Sequence, residues 1–288
     1  MMTEAREDEE IRHAFLRSCS IQAFRTRLPA RTTVMQASRL RLLSYNIHQG
    51  ITVSRNRLTL AVLRSAIREL DADIVVLQEV AGSSLDLQAG SSPGRLRSQL
   101  EEVADEVWPH HAYGTNAVFT THFHGNAVLS RFPILSWRNE NITVGRAEPR
   151  GILHVTVRAL GEQPVHVMGI HLGLSQGERR EQARRLRTYV ENSVPAEAPL
   201  FVAGDFNDWR RQISRELVEG LSMREAFRVA HRHYARTFPS RFPIFHLDRI
   251  YFRGCELESA SCFRGKPWNT LSDHLPLLAS FRCEGGSA

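Results

Sequence analysis

The chain has 288 residues, 42% of them hydrophobic, enough to build a core in one large domain or two ordinary ones. Its net charge is +6, and half of that excess lies in the first 41 residues, which makes a weak case for wholesale DNA binding, since that usually shows a concentrated basic face. No stretch approaches the roughly 18–20 apolar residues that span a bilayer, and no apolar leader segment follows MMTEAREDEE, so a cytoplasmic protein is expected.

Residues 1–38 are poor in apolar residues and show no clear strand. They are expected to be a basic, flexible extension, with residues 11–28 as a possible short helix. Met35, just before the first good strand, is an alternative start. An arm touching an anionic membrane or nucleic acid is the other reading. Residues 39–288 then form one domain. Cys19, Cys255, Cys262 and Cys283 show no C-x-x-C or metal spacing and read as free or buried thiols of a reducing compartment.

From residue 39 the chain becomes regular. RLRLLSYNI reads as a strand over 40–47, and RLTLAVLRSAIREL as a helix with apolar residues at helical spacing. ADIVVLQEV is a continuous apolar run, hence a buried strand. A Gly/Ser-rich loop over 81–94 precedes a helix at 95–106. Short strands follow near 112–120, 125–130 and 134–144. GILHVTVRAL and QPVHVMGIHL form a hairpin around Gly161-Glu162. GERREQARRLRTYVENS is an amphipathic helix and APLFVAGDF the next strand. A helical stretch over 211–230 and a Pro-interrupted loop over 237–246 lead to strands at 248–253, 256–263 and 275–282. Strands outnumber helices in a mixed order, which predicts an α+β fold rather than a doubly wound parallel sheet.

Several of these apolar strands end on residues suited to metal or phosphate chemistry. They are Asn46 in SYNIHQG, Glu79 in LQEV, His171 in GIHLG, Asp205 and Asn207 in GDFN, and Asp248-Arg249 in LDRIY. Asp273-His274 in LSDHLP stands just before the last strand. Singly each has an ordinary reading: a cap, a solvated acid, a satisfied buried histidine, a simple Asp248-Arg249 ion pair. Strands lying side by side can gather all of them at one rim. His122 and His124 share a strand face and read as exposed, with a metal pair as the alternative; His231 and His233 read likewise.

With SYNIH, LQEV, GNAVLS, HLGL, GDFNDW, LDRIY and LSDH in this order, the chain resembles the endonuclease/exonuclease/phosphatase superfamily over residues 40–283. The resemblance implies a two-sheet sandwich flanked by helices, a four-layer α/β/β/α arrangement like that of pancreatic deoxyribonuclease. It also implies a hydrolase acting on phosphoric esters, with the site at one rim.

By the resemblance, Glu79 is the principal metal ligand, with Asn46 and Asp273 beside it. An oxygen-rich set suits Mg2+, with Mn2+ as a substitute, better than zinc. Asp205 deprotonates the attacking water, which the metal also activates, and Asn207 steadies the carboxylate or the phosphate. His274 binds the scissile phosphate, and Asp248 holds its other nitrogen. His171 donates to phosphate, and Asn126 in GNAVLS contacts substrate. Arg150 in EPRGIL clamps phosphate, with a surface arginine as its ordinary reading. His48 stands where several relatives place Asp or Gln; there it weakens a second metal site or faces the substrate.

The expected substrate is a phospholipid or small phosphodiester, because FPSRFPIFH (238–246) offers an apolar rim. Those aromatics have an ordinary reading too, as packing beneath the site. The bacterial branch is also often associated with phospholipid synthesis. The alternatives are a metal-dependent nuclease on DNA or RNA and, in another class, a non-catalytic phosphate-binding module. A monomer with peripheral contact at the inner membrane completes the expectation.

Overall fold

The computed structural model describes residues 39–50, 57–83, 99–104, 107–118, 122–160 and 163–283. The expected extension over 1–38, most of the loop over 81–94 and the Gly161-Glu162 turn lie outside the described residues.

Strand periodicity decides the layering. In β1 (Arg39–Asn46), Leu40 and Leu42 point one way while Leu43 and Tyr45 point the other, and all four are fully buried. In β2 (Ile74–Ser83), Ile74 and Val76 likewise oppose Val75 and Leu77. A sheet buried on both faces needs a partner on each, since every such side chain withdrawn from water stabilises by roughly 1.5–3 kcal/mol. One partner is a second sheet and the other a layer of helices.

The first sheet also contains β3 (His110–Val118), β4 (His122–Ser130), β11 (Glu256–Cys262) and β12 (Leu277–Arg282), in the order β11-β12-β1-β2-β4-β3. The second contains β5 (Ile134–Asn141), β6 (Gly151–Leu160), β7 (Gln163–His171), β8 (Leu200–Asp205), β9 (Arg224–Glu225) and β10 (Asp248–Arg253), in the order β5-β6-β7-β8-β10-β9. Leu42, Val76, Val155, Val167 and Phe201 meet in the core between the sheets.

Outside the first sheet, Leu43 and Leu77 pack on Leu63 and Ile67 of α1 (Arg57–Glu69). That layer also holds α2 (Gln99–Ala104). Outside the second sheet, Met168 and Val202 pack on Leu186 and Val190 of α3 (Gln176–Ser193). Ser175 and Glu178 close a reciprocal capping box on α3, so its start is written in S-x-x-E. The result is the expected four-layer α/β/β/α sandwich.

Two local expectations need correction, and one short element was not foreseen. The helix over 211–230 is instead α4 (Ser214–Val218), β9 and α5 (Ala226–His231). Gly220 and Ser222, the latter at φ 53°, break the run, and Glu225 caps α5 by accepting from the Arg228 amide. A short α6 (Trp268–Leu271) was not expected, being too brief to show periodicity. Cys255 and Cys283 are disulfide-bonded rather than free, while Cys262 remains a thiol. Antiparallel pairing of β11 with β12 sets Glu256 opposite Arg282, so the residues just beyond each become neighbours.

Candidate active site

Asp205 ends β8, flanked in register by His171 on β7 and Asp248 on β10. Gly204 makes this close approach possible: at φ +145°, a Cβ there would lie 2.0 Å from the Ile170 carbonyl oxygen. Beyond the strand, the Asn207 amide donates to Asp205 Oδ1 (2.8 Å) and its side chain to the Leu172 carbonyl (2.9 Å). Asn207 sits at φ 49°, held there by these bonds.

The first sheet supplies the opposite wall. Asn46 ends β1 and pairs with Gln78 of β2. A bulge between Leu77 and Val80 then turns Glu79 out at φ 55°. Asn46 Nδ2 donates to Glu79 Oε1 and to Asp205 Oδ2, both at 3.2 Å, tying the two sheets together. His48 Nδ1 stands 3.5 Å from Asp273 Oδ1 and 3.7 Å from Glu79 Oε2, between two acids. Ser272 Oγ donates to the Asn46 carbonyl (2.7 Å) and thereby sets the Asp273-His274 segment against β1.

His274 Nδ1 donates to Asp248 Oδ2 at 2.8 Å, while Nε2 lies 3.7 Å from Asp205 Oδ2. Burial opposes charge on this ring, but Asp248 and Asp205 outweigh it and raise its pKa to about 10. Burial likewise raises Asp205 to about 6, although His274 pulls against it. Asp205, Asp248 and His274 offer donor atoms within 4.8 Å of one another, close enough to hold a cation. With His274 protonated and bonded to Asp248, they read better as a hydrogen-bonded chain.

On the other side, Arg150 Nη1 lies 3.3 Å from His171 Nδ1. A guanidinium only donates, so Nδ1 accepts and the ring proton sits on Nε2, which is 3.6 Å from Asp205 Oδ2. Burial, and then Arg150, hold His171 well below the ordinary histidine range, so it is neutral. Arg150 also pairs with Glu148 (3.0 Å), which His124 reaches at 3.1 Å. The hydrogen bond from His124 leads the causes that lower the Glu148 pKa.

These groups open into a cavity of about 540 Å3. Of the expected site residues, His48, Glu79, Arg150, His171, Asp205, Asn207, Asp273 and His274 line it. Asn46 and Asp248 are buried behind the lining. Asn126 does not reach the cavity wall: it is fully buried and its Nδ2 is spent on the Gly151 and Gly169 carbonyls. Arg150 is buried at the cavity, not on the surface.

The Asp248-Arg249 ion pair does not form, because adjacent strand residues face opposite ways. Arg249 instead pairs with the equally buried Asp208 at 3.1 Å and anchors the GDFNDW turn. His124 is buried rather than exposed. The lining contains Glu148 and Trp209, which sequence reasoning missed, and Phe238 of the expected FPSRFPIFH rim. Glu148 stood two residues before Arg150, and Trp209 closed the quoted GDFNDW. Phe238 packs 5.0 Å from the His274 ring, centroid to centroid, whereas Phe242, Ile244 and Phe245 are exposed.

Residues 43–274 match the model of the Endonuclease/Exonuclease/phosphatase family. Uncharacterized protein YbhP of Escherichia coli (strain K12) is 41% identical over 242 residues, 83% of this chain and 94% of its own length. A UPF0294 protein of Erwinia tasmaniensis is 26% identical over 253 residues, 86% and 83% respectively. The solved endonuclease/exonuclease/phosphatase of Beutenbergia cavernae shares the fold at a TM-score of 0.71 and 21% identity, over 85% of this chain and 72% of that one. D. rerio TDP2, complexed with single strand DNA product, does so at 0.63 and 17%, over 85% and 99%. The strand-end acids, amides and histidines thus sit within a match that runs from β1 to His274, and the chain belongs to the endonuclease/exonuclease/phosphatase family.

Proposed function

We propose that the protein is a Mg2+-dependent hydrolase of phosphoesters in which Asp205 is the general base. The observation that supports this most directly is the placement of Asp205. It sits within 4 Å of both His274 and neutral His171, at the floor of an open cavity. Members of the family are typically metal-dependent phosphoester hydrolases.

The donor set fits a hard cation. Four carboxylates (Glu79, Glu148, Asp205 and Asp273) line the cavity, with Asp248 behind His274, against the positive charges of Arg150 and protonated His274. Glu79 and Asp273 are the ligands this arrangement favours. Asn46 would join them through its oxygen after an amide flip. A bound Mg2+ supplies charge neutralisation on the phosphoryl oxygens.

The chain's own residues supply the rest. Asp205 takes the proton of the attacking water, held in place by the Asn207 amide. Protonated His274, oriented by Asp248, and the Arg150 guanidinium hold non-bridging oxygens, while His171 donates a hydrogen bond from Nε2. The apolar part of the rim (Leu174, Trp209, Phe245) and the modest body charge support a phospholipid or small phosphodiester as substrate.

The test is a panel of bis-p-nitrophenyl phosphate, phospholipids, inositol phosphates, DNA and RNA, each with Mg2+, Mn2+ or EDTA. Hydrolysis that EDTA abolishes and that Glu79→Gln reduces to background supports the reading. Cleavage confined to nucleic acid replaces it with the nuclease alternative. No cleavage of anything, with Glu79→Ala binding phosphate as the wild type does, replaces it with a non-catalytic module.

A further inference from the structure

The loop that closes one side of the cavity presents its apolar side chains outward. Phe242 is 81% exposed and Ile244 58%, and Leu174, across the cavity mouth, is 66% exposed. Trp209 and Phe245, which line the same cavity as Leu174, are exposed as well. Such a cluster is costly to keep in water, and contiguous exposed apolar surface marks a contact site.

The loop cannot fold these groups away. Its base is closed by a bridge between Phe238 and Phe245, with the Thr237 amide donating to the Phe245 carbonyl (2.9 Å). Ser240 is buried and donates to the Ser272 carbonyl from Oγ (2.7 Å) and to the Asp273 carbonyl from its amide (2.6 Å). Phe242 therefore projects from a turn tied to the segment that carries His274.

The loop itself and its neighbour Arg211 are basic. Residues 232–247 contain no acid, and Arg211, Arg236 and Arg241 are all exposed. Among the described residues none of the three has an ion-pair partner. The Arg211 guanidinium lies 6.0 Å from the Tyr234 ring, whose centroid is 6.3 Å from that of His246 at the end of the loop, and Arg236 stands at the loop's start.

We infer that this face docks on an anionic lipid bilayer, with Phe242 and Ile244 entering the interface and the arginines meeting lipid phosphates, so that the cavity mouth opens onto the membrane. A single-stranded nucleic acid would also meet arginines, but it is held by flat rings that stack on bases. Here Ile244 and Leu174, which cannot stack, are among the most exposed members. Exposed apolar side chains on an arginine-bearing loop are the chemistry of an interfacial anchor.

The docking stands apart from the hydrolase reading and is tested apart from it. The full chain is sedimented with sucrose-loaded vesicles of phosphatidylethanolamine and phosphatidylglycerol, and with phosphatidylcholine vesicles for comparison. The wild type is expected to bind the anionic vesicles preferentially. The Phe242→Ser/Ile244→Ser double variant should bind at least about tenfold more weakly, and Arg241→Glu about fivefold more weakly. Both should keep the wild-type rate on soluble bis-p-nitrophenyl phosphate. Asp205→Asn should bind as the wild type does, so loss of catalysis and loss of docking are separable. Failure of the wild type to bind anionic vesicles, or equal binding by the double variant, overturns the inference. So does a Phe242-dependent affinity for single-stranded DNA alone.

Discussion

Asp248 and Asp205 hold opposite edges of one imidazole: His274 Nδ1 is 2.8 Å from the first and Nε2 3.7 Å from the second. Asp248 lies behind the cavity wall, so its influence on substrate passes through the ring it orients. Asp248→Asn should therefore lower kcat about 100-fold with little change in KM. Steady-state kinetics on bis-p-nitrophenyl phosphate check this. A ring titration by NMR should show the His274 pKa falling from its raised value, as Asp248 is the leading cause that raises it.

The pH profile follows from Asp205. It accepts a proton only when ionised, and burial has lifted its pKa to about 6. The rate should rise with pH and level off above that value. A bound cation favours the ionised form, so saturating Mg2+ should move the midpoint down, never up. A pH–rate profile at two Mg2+ concentrations measures the direction.

Removing the Arg150 guanidinium takes a donor from the phosphate and the partner from His171 Nδ1. Arg150→Ala should cost about 100-fold in kcat/KM. Arg150→Lys should recover little, because an ammonium cannot reproduce the planar fork. Burial still depresses His171, but its pKa should rise in either variant only as far as positive charge is lost, so more in the alanine one.

Away from the cavity, His154 Nε2 bonds His166 Nδ1 at 2.9 Å, and His154 Nδ1 bonds the Tyr189 hydroxyl at 3.1 Å. Burial, and then His166, lower the His154 pKa to about 4. The folded state thus prefers the neutral ring. This stability is present in full above the unfolded value near 6.5 and is lost as pH falls through about 4. Urea denaturation between those pH values should show His154→Gln flattening the acid limb by on the order of 2 kcal/mol.

The Cys255–Cys283 disulfide closes a sequence separation of 28 residues. Cys255→Ser/Cys283→Ser should lower stability by about 3–4 kcal/mol in the chain-entropy account. Denaturation of the native chain with and without reductant should reproduce the same loss. Disulfides persist in oxidising compartments, so an intact bond in protein isolated under alkylation would count against a cytoplasmic location.

The site was legible to the extent that its chemistry is local. Asn46, His171 and Asp205 each end an apolar strand and Glu79 follows an apolar run, and a polar group in such a position must find water or a partner. What escaped was partner choice across the fold. Arg249 pairs with Asp208, 41 residues away, rather than with its neighbour Asp248. His124 is buried against Glu148, and the cysteine pair depends on a hairpin register that spacing does not reveal. The helical stretch over 211–230 failed for the opposite reason. Composition favoured a helix throughout, but a positive φ at Ser222 and the Glu225 cap divide it.

The Ser272 hydroxyl reaches the Asn46 carbonyl across 226 positions of chain. The chain as far as Ser272 must therefore leave the ribosome before the candidate site can form. A translation product that stops before Ser272 lacks the segment carrying Asp273 and His274, so the candidate site closes only once that late segment has packed against the first strand.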